Sequence, residues 1–151
     1  MNTYSSKYLL KDLFFNDKMS TSTAKPVLSK FELLKLFKEN LIKFFDSLIE
    51  QLPDESDLII MRLFIENQIP IEEVMKTFSE RVLPHKEMVY KKNEQFFIIC
   101  EDMFMGLKTD KVSKFKSMWM SSKKLSKDDK ETIWKWFNLF VRLSEEYVKH
   151  T

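Results

Sequence analysis

Residues 127–149, KDDKETIWKWFNLFVRLSEEYVK, predict a long helix with a very broad apolar side. When residues 133–149 are plotted at about 100° per residue, an arc of about 220° from Leu139 round to Trp134 is apolar, with Ser144 as its one exception. An ordinary surface helix needs an apolar stripe of only about 100°. The last helix is therefore either enclosed by several neighbours in its own domain or partly buried in a partner.

A second long helix is predicted to begin after Ser29. Ser29 is a suitable N-cap, and Glu32, three residues later, completes a capping box. The helix should continue until Pro53, which cannot extend it. Its apolar residues fall on one side and its charged residues on the other, so we expect this helix to have one face in water.

Residues 57–68, DLIIMRLFIENQ, are apolar on nearly every side. Only Arg62 and Glu66 form a narrow polar strip, and a helix that is apolar all round is normally buried. We therefore expect this helix at the centre of a bundle. Pro70 suits the first turn of the next helix, which should end near Pro84.

The segment from 86 to 105 predicts one interrupted helix or two short ones. Its apolar run FFIIC, at 96–100, is compatible with a buried strand or with a helix. The helix is favoured because more apolar residues follow soon afterwards without a turn residue between them. A further helix is predicted over residues 110–120, with Val112, Phe115 and Trp119 on one face.

Composition supports the same fold class. The chain of 151 residues contains one glycine, Gly106, and four prolines, too few turn residues for a hairpin-rich β protein. A phosphate-binding loop needs several glycines, so that class of site is excluded as well. We predict an all-α protein, a compact bundle of about six helices with an N-terminal arm, built around residues 57–68 and 127–149.

Residues 1–28 are predicted to be an N-terminal arm and flexible linker, and residues 29–151 a single α-helical domain. The stretch from 16 to 28 is polar, contains Pro26 and lacks helical periodicity. The apolar side chains of the arm include Tyr8, Leu9, Leu13, Phe14 and Phe15. Because the arm is too short to fold alone, it either docks onto its own domain or inserts into a partner subunit.

The sequence offers little material for catalysis. Its two histidines, His85 and His150, are too few for a histidine metal cluster, and Cys100 lies in an apolar run that would hide its sulfur. Neighbouring carboxylates on a helix point about 100° apart and do not share a site. We predict that the chain is not an enzyme and has no cofactor, metal site or small-molecule substrate.

The cellular setting follows from the same residues. With Cys100 as its only cysteine the chain forms no intramolecular disulfide, which fits a reducing compartment. The first 15 residues lack the apolar core of a signal peptide, and no stretch has the roughly 18 apolar residues of a membrane span. We predict a cytoplasmic protein without a membrane partner.

Residues 108–135 form a lysine-rich strip with nine lysines and four acids, a net charge of +5 in a chain of net charge +2. Such a strip could bind the phosphate backbone of nucleic acid, or it could be the solvated side of ordinary helices. Helical spacing favours solvated surface, because it turns the neighbouring aromatic residues inward. The candidate nucleic-acid contacts are Lys111, Lys114, Lys116, Lys123, Lys124, Lys127 and Lys130.

Two stretches, ESDLIIMRLFIENQIPIEEVM and KETIWKWFNLFVRLSEEY, resemble segments in a group of short, lysine-rich proteins of nucleocytoplasmic large DNA viruses. The similarity covers residues 29–149 and rests on apolar helical patterning. It implies a setting in the host cytoplasm, at a viral factory, or in the virion. It implies no activity and no functional residue.

These features together predict a non-catalytic protein-interaction or structural component whose partner is another protein or a second copy of the chain. The broad last helix and the arm supply more apolar surface than one small domain obviously needs. The residues predicted to contact the partner are Tyr8, Leu9, Leu13, Phe14, Phe15, Trp134 and Leu139. The alternative is a nucleic-acid-associated protein that uses the lysine-rich strip.

Overall fold

The computed structural model describes residues 28–100, 109–121 and 123–150, and it contains seven α-helices and no strand within those ranges. The all-α prediction is confirmed, and the described helices share one hydrophobic core. In chain order they are α1 (Lys30–Gln51), α2 (Ser56–Leu63), α3 (Ile71–Arg81), α4 (Lys86–Tyr90), α5 (Glu94–Ile99), α6 (Thr109–Met120) and α7 (Lys127–Val148). The predicted arm lies outside the described residues.

The two long helices begin as predicted. Ser29 Oγ accepts a hydrogen bond from the backbone N–H of Glu32 at 3.1 Å, and the Glu32 carboxylate accepts one from the backbone N–H of Ser29 at 2.9 Å. At the start of α7, Ser126 and Asp129 make the same reciprocal pair, at 3.1 and 2.9 Å. Both capping boxes satisfy backbone donors that a helix start leaves unpaired.

Most of the broad apolar arc of α7 is buried within its own domain, and Val148, near the end of the helix, is 43% exposed. Helix α7 packs against α1, α3 and α4, so neighbours cover it on several sides. Ser144, the polar exception in the arc, is fully buried, and its hydroxyl donates to the carbonyl of Val141 at 2.9 Å. This internal hydrogen bond satisfies the Ser144 hydroxyl, which lets a polar side chain sit in the core.

Aromatic rings form the centre of the core where α1, α3 and α7 meet. The Phe37 ring lies 5.6 Å from that of Phe140 and 5.7 Å from that of Phe78, in edge-to-face arrangements. Phe44 also packs edge-to-face on Phe140, at 5.6 Å. Edge-to-face pairs set the positive rim of one ring against the negative face of another, which adds to the free energy of burial.

Helix α2 does not lie at the centre of the bundle, so that prediction is wrong. Only Leu58 and, in the π-helical turn Phe64–Gln68 that follows, Ile65 are buried, while several other apolar residues of this segment are about half exposed. The reason is that α1 and α7 already fill the centre with aromatic rings. Helix α2 packs on α1 from outside and covers it with one side only.

The segment after α3 forms two short helices, as the second of the two sequence alternatives predicted. A 3₁₀ turn over Leu83–His85 leads into α4, and Lys92, with φ of 54°, reverses the chain before α5. The ambiguous run at 96–100 is helical as far as Ile99, and Cys100 is extended. Residues 101–108 lie outside the described residues.

A polar contact joins α4 to α7 at the edge of the core. Glu145 accepts hydrogen bonds from Lys86 Nζ at 2.7 Å and from the Tyr90 hydroxyl at 3.0 Å. The Arg142 guanidinium lies over the Tyr90 ring at 5.6 Å. Burial raises the pKa of Glu145, but the two hydrogen bonds outweigh burial and hold the pKa below its ordinary value of 4.5.

The Glu145 contact predicts a specific loss of stability in acid. Because the pKa of Glu145 is lower in the folded than in the unfolded chain, its ionised form stabilises the fold at neutral pH, and this stabilisation is lost as the pH falls below about 4.5. We expect Glu145→Gln to lower the free energy of unfolding by about 1 kcal/mol at neutral pH and to flatten its acid dependence. Urea unfolding followed by circular dichroism across this pH range measures both effects.

The matched control is Glu146→Gln. Glu146 is the next residue on α7, and it accepts a hydrogen bond from the exposed Lys149 side chain. This change should leave stability nearly unchanged. Equal effects of the two substitutions would show that the contact with Lys86 and Tyr90 is not responsible.

Candidate functional site

Helix α2 and the π-helical turn after it expose several large apolar side chains to solvent. Leu58, 1% exposed, and Ile65, 8% exposed, anchor its inner side against the core. The π-helical turn is closed by a hydrogen bond from the Ile69 N–H to the Phe64 carbonyl at 2.8 Å. The chain then turns at Pro70 into α3. Two buried residues fix which side of α2 faces inward.

Ion pairs with α6 hold the beginning of α2. Lys111 Nζ lies 2.8 Å from Asp57 Oδ1, and Lys114 Nζ lies 2.8 Å from Glu55 Oε1 and 3.4 Å from Asp57 Oδ2. The hydrogen bond from Lys111 holds the pKa of Asp57 below its ordinary value. Asp57 also lies in the first turn of α2, where the helix dipole favours negative charge.

A further ion pair joins the middle of α2 to α1. Arg62 Nε donates to Asp46 Oδ1 at 2.6 Å, and Arg62 Nη1 donates to Glu66 Oε1 at 3.0 Å. The bond to Asp46 raises the pKa of the Arg62 guanidinium above its ordinary value. The polar strip that the sequence shows on this helix is therefore turned toward α1 and is occupied by internal contacts.

The side of the helix opposite Leu58 and Ile65 presents apolar side chains to solvent. Ile59 is 43% exposed, Ile60 48%, Leu63 48% and Phe64 49%. We call these four residues the outer face of α2, although Phe64 is the first residue of the π-helical turn that continues the helix. The pairs 59/63 and 60/64 are four positions apart, so their side chains are neighbours on the surface. Ile69, also exposed, extends the apolar surface toward α3.

The partner contacts predicted from the sequence do not coincide with this face. Trp134 is 3% exposed and Leu139 is 1% exposed, so α7 buries both in the core of its own domain and neither belongs to an exposed surface. The predicted arm contacts, Tyr8, Leu9, Leu13, Phe14 and Phe15, lie outside the described residues. The sequence signal for the outer face is the apolar character all round residues 57–68, which helical periodicity alone does not distinguish from central burial.

The lysine-rich strip is divided by the fold. Lys111 and Lys114 are the residues that bind the start of α2. Lys130 lies over the Trp119 ring, 5.3 Å from its centre, and 3.9 Å from Glu94, while Lys116 is half-buried. The exposed members of the candidate set include Lys123, Lys124 and Lys127, in and after the turn before α7. Among the lysines that the structure describes in this strip, Lys111, Lys114 and Lys130 are therefore engaged by side chains of their own chain.

The described residues hold no group of three or more His, Cys, Asp and Glu side chains arranged for a metal ion. Cys100 Sγ lies 3.9 Å from His85 Nε2, and the His85 ring packs on Phe96 at 4.9 Å between centres. A zinc site takes three or four protein ligands, so this pair alone does not make one. In the described part of the chain, no helix has both the length and the apolar character needed to cross a bilayer.

No family model, curated protein or solved structure matches this chain. The resemblance to proteins of large DNA viruses therefore stays a prediction from the sequence. The functional proposals below rest on the contacts and surfaces of the molecule itself.

The ion pairs predict how firmly α2 is held. Asp57→Asn removes the charge that binds Lys111 and Lys114, so we expect severalfold faster amide hydrogen exchange in residues 58–68 and little change in α1 and α7. Exchange measured by mass spectrometry on the full chain tests this. Asp54→Asn is the control, because Asp54 is exposed, lies nearby and makes none of these contacts. Equal exchange in the two variants would contradict the role of the ion pairs.

Proposed function

We propose that this chain is a non-catalytic α-helical interaction protein that associates with a second copy of itself through the outer face of α2. The observation that carries the proposal is the set of four large apolar side chains, Ile59, Ile60, Leu63 and Phe64, about half exposed on one side of one helix. Apolar surface of this kind, concentrated in one patch, is typical of protein-interaction sites.

A second copy is favoured as the partner because the outer face carries no charge. On a helical projection, an arc of about 140° holds these four residues together with Ser56 and Asn67. A two-fold dimer places a surface patch against the same patch of the other copy, so a charge near the two-fold axis would meet its own copy. An uncharged apolar patch can face its own copy without such repulsion.

The size of the patch sets the expected strength. Four half-exposed side chains supply apolar surface on the order of 300 Å² per copy, whereas a stable interface buries about 800 Å² per partner. The polar rim around α2 would have to supply the remainder. We therefore expect a dimer that depends on protein concentration and dissociates on dilution.

Phe64→Asp tests the outer face. It places a carboxylate in the proposed contact, and burying that charge without a partner should weaken association at least about tenfold, or about 1.4 kcal/mol. The measurement is light scattering after size exclusion, at several concentrations of the full chain. Phe31→Asp is a matched control, because Phe31 is also an exposed phenylalanine on a helix, at 72% exposure, and lies on α1.

A wild-type chain that is monomeric at every concentration would disprove self-association. A dimer weakened equally by Phe64→Asp and Phe31→Asp would place the contact elsewhere. A dimer that withstands both substitutions would also place the contact elsewhere, and the N-terminal arm would be the next segment to test.

A nucleic-acid-associated role is the second candidate, supported by the exposure of Lys123, Lys124 and Lys127 near the start of α7. Each lysine could neutralise one phosphate, so the affinity would be sequence-independent and would fall steeply with salt. Several other lysines of the strip bind carboxylates of their own chain, which reduces the charge available to a phosphate backbone.

The triple variant Lys123→Glu, Lys124→Glu, Lys127→Glu distinguishes the two candidates. Under our proposal it leaves the dimer intact, and the wild-type chain shows no retention by immobilised single-stranded DNA at physiological salt. Retention of the wild type that the triple variant abolishes would instead support the nucleic-acid role. The Phe64→Asp chain is the control, because it keeps all the lysines.

A further inference from the structure

A large apolar cavity lies between α1, α2, α3, α5, α6 and α7. Its volume is about 390 Å³. Helix α1 contributes Phe44 and Leu48 to its wall, α2 contributes Met61, and α6 contributes Phe115 and Trp119. The wall is therefore made by side chains that are far apart in the sequence and that the fold brings together.

The volume of the cavity lies in the range of small-molecule binding sites and is larger than that of an ordinary packing defect. Protein interiors are close-packed, and voids larger than a water molecule are few. Small-molecule pockets in proteins have volumes of about 300–1,000 Å³. An engineered apolar cavity of about 150 Å³ holds one benzene, so this cavity has room for roughly 12 to 16 carbon atoms.

The wall is almost entirely apolar, and its polar side chains lie together. The side chains described in the wall are aliphatic, aromatic or methionine except for Glu73 and Thr77. These two residues are one turn apart on α3, so they share one side of that helix. Glu73 and the wall residue Ile69 are exposed, which places the mouth of the cavity at the beginning of α3.

We propose that this cavity binds one aliphatic molecule of about 12 carbons whose head group is an amine or a hydroxyl. The hydrocarbon chain occupies the apolar interior, where its transfer from water is favourable. The head group lies at the mouth, where the Glu73 carboxylate accepts a charge-assisted hydrogen bond from an amine or an ordinary one from a hydroxyl. A fatty acid of the same length binds poorly, because its carboxylate would meet that of Glu73.

This inference does not depend on the proposed self-association. Met61 and Ile65 line the cavity from the inner side of α2, whereas the outer face lies on the opposite side of the same helix. Loss of ligand binding and loss of the dimer are therefore separate results.

The test is displacement of a neutral apolar dye, N-phenyl-1-naphthylamine, from the full chain by dodecan-1-amine, dodecan-1-ol and dodecanoate. We expect the dye to bind and the amine and alcohol to displace it, with dodecanoate at least about tenfold weaker, a difference of about 1.4 kcal/mol. Native mass spectrometry of the chain with dodecan-1-amine should show one molecule bound per chain.

Glu73→Gln tests the head-group contact. It should abolish the preference for dodecan-1-amine over dodecanoate while leaving the binding of dodecan-1-ol within a few-fold. Glu72→Gln is the control, because Glu72 precedes Glu73 on α3 and is not part of the described cavity wall. An unchanged preference in Glu73→Gln would overturn the assignment of the head group.

Val74→Phe tests the cavity itself. Val74 lines the wall, so the larger ring should fill part of the space and reduce dodecan-1-ol binding at least tenfold without lowering the melting temperature. Val148→Phe introduces the same ring at an exposed position of α7 and should change neither.

Equal binding by wild type and Val74→Phe would place the ligand outside the cavity. Failure of the full chain to bind the dye or any of the three probes would overturn the proposal. That result would make an apolar segment of the chain itself, such as the predicted N-terminal arm, the alternative occupant of the cavity.

Discussion

The rest of the structure depends on the packing of α1 against α7. These are the two longest helices, and each begins with a complete capping box, so their starting points and directions are set locally. Phe37 from α1 and Phe140 from α7 are each no more than 1% exposed and meet edge-to-face at 5.6 Å. Because this contact is central, the shorter helices pack around it.

The position of α2 follows from that constraint. The centre of the bundle is filled by rings from the long helices, so a helix that is apolar on every side still lies at the periphery. Leu58 and Ile65 bury one side of α2, and Arg62 binds Asp46 of α1. The remaining apolar residues of α2 then find no buried position within the described part of the domain. The exposed outer face is thus a consequence of how the core is filled, as much as of the sequence of α2.

The sequence predicts local features of this protein well and tertiary features poorly. The start of α1 was predictable because the two residues of its capping box, Ser29 and Glu32, are three positions apart in the sequence. The place of α2 was not, because helical periodicity shows that a side chain is apolar but not which neighbour covers it. The pairing of Lys111 with Asp57 joins residues 54 positions apart, so the sequence presented Lys111 only as part of a basic strip. The cavity is likewise formed by side chains of six helices together.

The cavity and the outer face meet at one helix, which has physical consequences for both. Helix α2 is held by two buried side chains and by ion pairs at the surface, and such pairs individually contribute little. An apolar molecule in the cavity would contact Met61 and Ile65 and add to the contacts that hold the inner side of α2. A ligand that binds only the folded arrangement stabilises it by mass action. Occupancy of the cavity would therefore strengthen the same helix that presents the apolar face to a partner.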